Sequence, residues 1–491
     1  MDISSIFSSR DSIEFLVSQY MSLEEQPRNE LLADRAYLDT RKSVLSELDS
    51  RLSTLQNKAE RLNDTVFDYF AAKKAATSDS EKFTVSAASA ASVGNHSLSV
   101  ERLAISDTRV SNQFTDSDTS FSGFSGDQTF TIEVAHPTDA DPDYREQISV
   151  TVEAAVFSQS DDDVIAAVAN AIDAAMDAAV TAGTIDNNEV VQASVVSEES
   201  GKSRLVLRSD QAGFANRIVF GSSSLLDTLG VNTNAQSSGA SGGYITDPGT
   251  SASDSLLNSK FTLDGLTFYR DTNNITDAVD GVTIRLRDVF TSQETITVSA
   301  DTGAVKAELD SFLESYNEVV DYLRQGTLEP GANGRRGVFA DDVIYRSMLT
   351  DLRGIMSGVV GTTLTSSYDR LYNIGIEADS DGKLSFKDTD KLNAALETNS
   401  EFAADLFNSE DGIAQALDGF IDKYVKAGGT ITESKQGIDT QIQSLDSRIG
   451  LLDELLIRRE TQLRDEFAEL QSVMTRLNDQ QAFLGTILAS F

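Results

Sequence analysis

The chain has 491 residues, 40% of them hydrophobic, which is enough for about three folded domains with real cores and is not typical of a disordered protein. Lys and Arg total 40 against 78 Asp and Glu, and a net charge of −38 repels phosphate backbones and anionic lipid heads. Binding to nucleic acids or membrane surfaces is therefore disfavoured, and the absence of Cys excludes disulfides and thiolate chemistry.

The N-terminal region carries apolar residues at heptad spacing after Pro27, which stands where a helix can begin or kink. This seam consists of Leu38, Leu45, Leu48, Leu52, Leu55 and Leu62. The spacing predicts a helix with one apolar face. Two interpretations stay open, because such a face packs equally well on its own domain or on the helix of a partner.

The middle of the chain changes in composition. Residues 110–201 contain 18 Asp and Glu but a single basic residue, Arg145, which indicates a separate acidic domain. A helix inside it is predicted by the apolar positions Val164, Val168, Ile172 and Met176. Alternating apolar residues around Asp264-Gly265 and around Asp381-Gly382 predict two β-hairpins outside the acidic block.

A long heptad pattern fills the C-terminal region. Its seam consists of Ile442, Leu445, Ile449, Leu452, Leu456, Arg459, Leu463, Glu466, Leu470, Val473, Leu477 and Leu484. A helix of about 45 residues rises roughly 68 Å, which exceeds the width of a domain of ordinary size. Part of this seam must therefore meet another element or another chain, and its polar middle must meet a partner that tolerates charge.

The residue types needed for catalysis are sparse. The two histidines, His96 and His136, have no partners at metal-ligand spacing, and both are interpreted as surface histidines. The segment from Asp379 to Asp390 has the outline of a calcium loop, but Lys383 occupies a ligand position, so a β-turn is the better interpretation. We expect no enzyme activity, no cofactor and no metal.

Five stretches, in this order, resemble the bacterial flagellar filament-capping family, the flagellar hook-associated protein 2 family. They read "IEFLVSQYMSLEEQPRNELLADRAYLDTRKSVLSELDSRLSTLQ", "FTLDGLTFYRDTNNITDAVDGVTIRL", "FLESYNEVVDYL", "NIGIEADSDGKLSF" and "GGTITESKQGIDTQIQSLDSRIGLLDELLIRRETQLRDEFAELQSVMTRLN". The order and spacing of these blocks are more specific than any single heptad.

The resemblance implies an α+β multidomain fold, with a coiled-coil or helical leg from both termini plus a helical bundle, and two β-rich head domains, the outer inserted into the inner. The expected terminal segments, disordered until assembled, are 1–38 and 455–491. The other expected domains are a helical leg with a hairpin (39–78 and 302–454), an inner β-rich head (79–110 and 252–301) and an outer acidic α+β head (111–251).

The resemblance also implies a function. Members of the family form a ring-shaped homo-oligomer at the distal tip of the flagellum, promote folding and insertion of exported flagellin, and prevent its loss. The implied partners are flagellin, the filament end, the flagellar type III export apparatus and an export chaperone, and the protein is extracellular without a cleaved signal peptide. Two alternatives stay open, namely another flagellar axial protein such as a hook–filament junction component, and a surface adhesin that uses the acidic outer domain.

Overall fold

We describe the protein from a computed structural model, which places residues 10–64, 68–232, 234–236, 239–328, 336–363 and 367–489. The first nine residues of the predicted N-terminal segment and the last two of the C-terminal one lie outside the described residues. The chain divides into two compact units. The helical unit comprises Met1–Phe70 and Thr302–Phe491, and the head unit comprises Ala71–Asp301.

The described helices belong mainly to the helical unit. They are α1 (Arg10–Glu24), α2 (Gln26–Leu62), α3 (Asp161–Thr181), α4 (Ser224–Leu229), α5 (Thr302–Gly326), α6 (Val343–Ser357), α7 (Thr389–Asn408), α8 (Ile413–Val425) and α9 (Thr430–Ala489). Pro27 lies in the first turn of α2, where its missing N–H costs no hydrogen bond. Gly428, with φ of +77°, allows the reversal between α8 and α9.

The described strands belong mainly to the head unit. They are β1 (Lys73–Thr77), β2 (Phe83–Ala87), β3 (Gly94–Arg102), β4 (Ser106–Val110), β5 (Phe114–Thr115), β6 (Gln128–Ala135), β7 (Arg145–Val152), β8 (Val191–Glu199), β9 (Lys202–Ala212), β10 (Val219–Phe220), β11 (Gly243–Tyr244), β12 (Ser259–Leu263), β13 (Leu266–Arg270), β14 (Asn274–Val279), β15 (Val282–Leu286), β16 (Phe290–Ala300), β17 (Ile376–Ala378) and β18 (Leu384–Phe386). The last two form a hairpin in the helical unit.

One core of the head unit lies between two antiparallel sheets, ordered β1-β16-β3-β12-β13 and β14-β15-β2. Its buried residues include Phe83, Leu98, Phe261 and Ile296, so segments on both sides of the acidic block build it together. The predicted hairpin at Asp264-Gly265 is confirmed, because Leu263 pairs with Leu266 across two residues whose φ angles are positive.

The second core of the head unit is built from residues of the acidic block and of the segment that follows it, between Phe114 and Val231. Helix α3 begins with three aspartates after the cap Ser160, which complements the positive end of the helix dipole. By length and composition α3 could cross a membrane. Its Val164, Ile165, Val168 and Ile172 are fully buried, however, and the helix packs on β7, β8 and β9. These contacts identify α3 as the core helix of this head domain.

The core of the helical unit joins both ends of the chain. Leu45, Leu48, Leu52, Leu55 and Leu62 of α2 are buried with side chains of α5, α6, α7, α8 and the start of α9. Phe407 stacks on Phe70 with ring centroids 5.4 Å apart and meets Phe312 edge-on at 6.4 Å. Each buried leucine contributes about 1.5–3 kcal/mol to folding, so this cluster dominates the stability of the unit.

The predicted α+β multidomain class is confirmed by this architecture. The domain boundaries stay a prediction. Strand β1, which lies within the predicted leg domain (39–78), pairs with β16 and belongs to the head unit. Residues 10–38, apart from Glu25, and residues 455–489 are helical in the structure, and their predicted disorder before assembly stays a prediction.

Candidate functional site

The terminal helices pair in antiparallel fashion through ion pairs at heptad spacing. Arg28 pairs with Asp453, Arg35 with Asp446 at 2.5 Å, and Lys42 with Asp439. Each step of seven residues along α2 thus meets a step of seven in the opposite direction along α9. The Asp446 carboxylate accepts a hydrogen bond from Arg35 and raises the pKa of that guanidinium above its usual value. We call these three pairs the basic rungs, because α2 supplies the cation in each.

These rungs belong to a longer series of ion pairs, which we call the ladder. At both of its ends the N-terminal side of the chain supplies the anion and α9 supplies the cation. Toward the bundle, Asp49 of α2 pairs with Lys435 at 3.2 Å. Toward the chain termini, Glu24 lies 3.7 Å from Arg459, and Glu14 pairs with Arg464. These three acidic rungs place the anion on the N-terminal side of the chain. Together the rungs specify one antiparallel alignment of the two terminal segments.

The N-terminal seam predicted from the sequence is covered within the chain. Leu45, Leu48, Leu52, Leu55 and Leu62 are each no more than 2% exposed, and Leu38 packs against the same core. Their apolar surface is therefore already used by the helical unit, and a role for them in binding a partner stays a prediction.

The C-terminal seam is covered where it begins and becomes exposed further along α9. Ile442 packs against the bundle core, Leu445 and Leu452 are half-buried, and Ile449 is 8% exposed. Further along, Leu456 and Leu463 form a small cluster with Val17 and Met21 of α1. The polar seam positions do not join this cluster. Arg459 faces Glu24, and Glu466 accepts a hydrogen bond from Gln462 at 2.7 Å.

Beyond this cluster the seam has no cover among the described residues. Leu470, Val473, Leu477 and Leu484 are 45%, 48%, 49% and 57% exposed. We call these four residues the uncovered stripe. They continue the heptad positions that α2 and α1 cover further back, so α9 presents an apolar face of the kind that packs against another helix. The side chain of Ile487, at the next seam position, lies outside the described residues.

Three further exposed apolar residues of α9 do not belong to the heptad pattern. Leu451, Leu455 and Ile457 are 64%, 54% and 65% exposed and lie off the seam positions. A search for apolar residues separated by three or four positions would have found the pair Leu451 and Leu455, because such residues share a helix face. This pair gives α9 a second apolar surface outside its contact with α2, whereas Ile457 lies on a different face of the helix.

Exchanging charges across the basic rungs tests the antiparallel alignment. Arg28→Asp with Arg35→Asp should reduce the hydrogen-exchange protection of amides 28–38 severalfold, because two attractions become repulsions in a weakly buried contact. Adding Asp446→Arg and Asp453→Arg to the same chain should restore protection. Native protection in the first variant, or no recovery in the second, would contradict this alignment.

The described residues hold no group of three or more His, Asp or Glu that could bind a metal ion. His96 lies 2.7 Å from Asp264, and His136 lies 2.7 Å from Glu189. The carboxylate of Glu189 also accepts a hydrogen bond from the Asp186 N–H at 2.7 Å. Both histidines therefore pair with carboxylates in the head unit. Asp379 accepts hydrogen bonds from the N–H groups of Asp381 and Lys383, which confirms the predicted β-turn there.

The pairing of His136 predicts a pH dependence. The hydrogen bond to Glu189 raises the pKa of His136 above its usual value of 6.5. The pair should therefore stabilise the head unit fully below that value, and the contribution should be lost as pH rises through the raised pKa. Proton NMR of the His136 ring would measure this shift, and Glu189→Gln should return the pKa of His136 toward 6.5. A His136 pKa that does not respond would contradict the pairing.

Comparison with known proteins identifies the family that has this architecture. Residues 10–107 match the family model described as flagellar hook-associated protein 2 N-terminus, and residues 257–479 match the model of its C-terminus. Between them the two models cover α1, α2 and most of α9, the helices that carry the ladder. The chain belongs to the flagellar hook-associated protein 2 family. The resemblance found in the sequence is thereby confirmed.

Relatives in this family match over most of their length. The A-type flagellar hook-associated protein 2 of Pseudomonas aeruginosa is 27% identical over 99% of this chain and 96% of its own. The flagellar hook-associated protein 2 of Escherichia coli K12 is 25% identical over 90% of this chain and 88% of its own. The hook–filament junction and adhesin alternatives are not favoured, since these relatives carry the hook-associated protein 2 name.

The fold also matches a solved structure of the family. The crystal structure of the flagellar cap protein FliD D1-D2-D3 domains from Escherichia coli covers 81% of this chain and 99% of its own, with 25% identity and a TM-score of 0.56. This likeness agrees with the multidomain α+β class read from the sequence.

Proposed function

We propose that this protein is the filament cap of a bacterial flagellum. In this role it sits at the distal end of the filament, promotes the folding and insertion of exported flagellin and prevents its loss. The observation that carries the proposal is the uncovered stripe on α9, in a chain of the flagellar hook-associated protein 2 family. A helix that leaves four seam positions half-exposed needs a partner of matching apolar pattern, and a neighbouring copy or the filament end supplies one.

The division of the seam supports an assembly role. The N-terminal seam holds the helical unit together, and the last part of the C-terminal seam is uncovered among the described residues. Each leucine of the uncovered stripe that becomes buried on assembly would contribute about 1.5–3 kcal/mol. A ring of several copies, each offering one such helix, would turn these modest contributions into stable attachment through multivalency.

The remaining partners belong to the same proposal. The chain would leave the cell through the flagellar type III export apparatus, helped by an export chaperone, and would act outside the cell without catalysing a chemical reaction. The net charge of −38 agrees with partners that are proteins and not nucleic acids or anionic membranes.

Deletion of the gene in the source organism tests the proposal. We expect abundant unpolymerised flagellin in the medium, few filaments and lost swimming, all restored by the intact gene. A chain ended after Gln471 retains the cluster with α1 but lacks most of the uncovered stripe, and it should not restore filaments. Normal filaments with lost surface attachment would overturn the cap proposal in favour of the adhesin alternative.

A further inference from the structure

The helical unit contains a cavity of about 480 Å³ beside the β17–β18 hairpin, away from the uncovered stripe. Its floor is formed by α5 and α6, through Tyr316, Arg353 and Met356. Its lining also includes every residue of β17 and the residues from Arg370 to Tyr372. The volume falls within the range of about 300–1,000 Å³ that is usual for ligand pockets.

Two residues that line this cavity carry a buried hydrogen-bond donor that has no partner among the described residues. The side chain of Tyr316 is fully buried, and its hydroxyl makes no hydrogen bond. Burial raises the pKa of Tyr316 to about 12, so the hydroxyl keeps its proton and can donate. The Nε atom of Arg353 is likewise buried without a partner, while Nη2 of the same guanidinium donates to the Asp381 carbonyl at 2.5 Å. Leaving such groups unpaired is costly, which indicates an acceptor that completes the site.

The lining around these donors is largely apolar. Met356, Leu371, Ile376 and Leu384 contribute aliphatic surface, and all four are nearly fully buried. A ligand that satisfies this arrangement combines an aliphatic stem with a terminal acceptor. A carboxylate suits a guanidinium and a phenol best, because charge-assisted hydrogen bonds are the strongest of the ordinary ones. The side chain of glutamate has this form.

The acidic groups that line this cavity do not remove its preference for a carboxylate ligand. Asp379 lines the wall, but its Oδ1 already accepts two backbone N–H groups. Glu377 is the other lining acid, and it lies on the half-exposed strand β17. Arg370 also lines the cavity, and it lies 3.9 Å from Asp369, which offsets its charge. Arg353, whose guanidinium donates to a backbone carbonyl, is therefore the cation that can attract a carboxylate.

Strand β17 also offers an open edge. Asp379 donates its N–H to Lys383, and Lys387 donates to Gly375, so alternate residues of the hairpin bond across it. Ala378, opposite Leu384, lies between these bonded positions, and its N–H and C=O point away from β18. On the other edge Asn317 bonds both backbone groups of Leu384, whereas no described group bonds those of Ala378.

We infer that this cavity is a peptide-binding site, in which an extended segment of a partner chain pairs with the edge of β17 and places a glutamate side chain against Tyr316 and Arg353. Main-chain hydrogen bonds to the strand edge would give affinity, and the glutamate would give specificity, as in other cases of β-augmentation. Gly382 maintains the site, because a Cβ atom there would lie 2.1 Å from the Nε of Arg353.

A binding measurement on the full chain tests the inference. The probe is a fluorescein-labelled, end-capped peptide with the sequence Thr-Val-Thr-Val-Glu-Val-Thr-Val-Thr, compared with its glutamine counterpart by fluorescence anisotropy. The glutamate peptide should bind more tightly than the glutamine peptide. Tyr316→Phe should weaken its binding about tenfold or more, the loss expected for a hydrogen bond to a charged group.

Two further variants separate binding from folding. Ala378→Pro removes the edge N–H that faces away from β18 and should abolish binding without unfolding the unit. Tyr322→Phe is the matched control, because the Tyr322 hydroxyl donates to the Val44 carbonyl at 3.0 Å away from the cavity. It should lower thermal stability and leave binding unchanged, whereas Tyr316→Phe should not lower stability.

Several results would overturn the inference. They are absence of binding by the natural chain, equal binding of the two peptides, and binding that does not respond to Tyr316→Phe or Ala378→Pro. The first of these would indicate a cavity filled by water only. None of these results bears on the cap proposal, which is tested by filament growth.

Discussion

Leu52→Ala should lower the free energy of unfolding of the helical unit by about 2–5 kcal/mol, the usual cost of truncating a fully buried leucine. Leu52 is 0% exposed at the centre of the core that joins α2 to α5 and α8. The substitution removes apolar contacts and leaves a cavity that well-packed neighbours fill only in part. Urea unfolding followed by circular dichroism would measure the change.

The control for this experiment is Leu477→Ala, which changes the same residue type at a seam position 49% exposed. Its effect on the free energy of unfolding should stay within about 0.5 kcal/mol, as for most exposed substitutions. Equal destabilisation by both variants would contradict the division of the seam into a covered and an uncovered part.

The second prediction concerns the uncovered stripe. A chain with Leu470→Gln, Leu477→Gln and Leu484→Gln should fold with an unchanged thermal midpoint but fail to support filaments, since each lost leucine removes about 1.5–3 kcal/mol of burial with a partner. Cells that produce this variant should release flagellin into the medium. Electron microscopy of filaments and immunoblots of the medium would give both readouts.

Thr475→Ala with Asn478→Ala is the matched control, because both side chains are exposed on the same part of α9 but point away from the face that carries the stripe. This control should support normal filaments. Normal filaments with the triple glutamine variant would show that the stripe is not the surface that binds the filament or a neighbouring copy.

Much of the secondary structure could be predicted from the sequence, because its signals are local. Heptad spacing identified the helices at both ends, and the Asp264-Gly265 turn located a hairpin. The same spacing could not tell Leu52 from Leu477, since a covered and an uncovered leucine have the same residue type and period. That distinction depends on which helices return to pack on α2, and this is set by contacts between residues far apart in the chain.

Buried polar groups were the other features that the sequence did not reveal. Arg145 stood out as the single base in an acidic block, and a position on the surface would have been the ordinary expectation. In the structure it donates to the carbonyls of Glu133 and Ala215, and burial lowers its pKa to about 10. Tyr316 gave no signal at all, because a tyrosine at a helical core position differs from phenylalanine only in a hydroxyl whose partner cannot be read from the chain.

The reversal of charge along the ladder has a consequence for how the two ends of the chain find each other. Repeated leucines alone would tolerate a slide of one heptad, since every seam position looks alike. After such a slide in one direction the basic rungs still meet acids, but Glu24 comes opposite Glu466, and Asp49 loses Lys435 for the apolar Ile442. A slide in the other direction sets Lys42 against Thr432 and Asp49 against Gly428. Only one register of the two helices therefore satisfies the ion pairs at both ends. A pair of helices in a shifted register loses several of these ion pairs, so it is less stable and dissociates more readily.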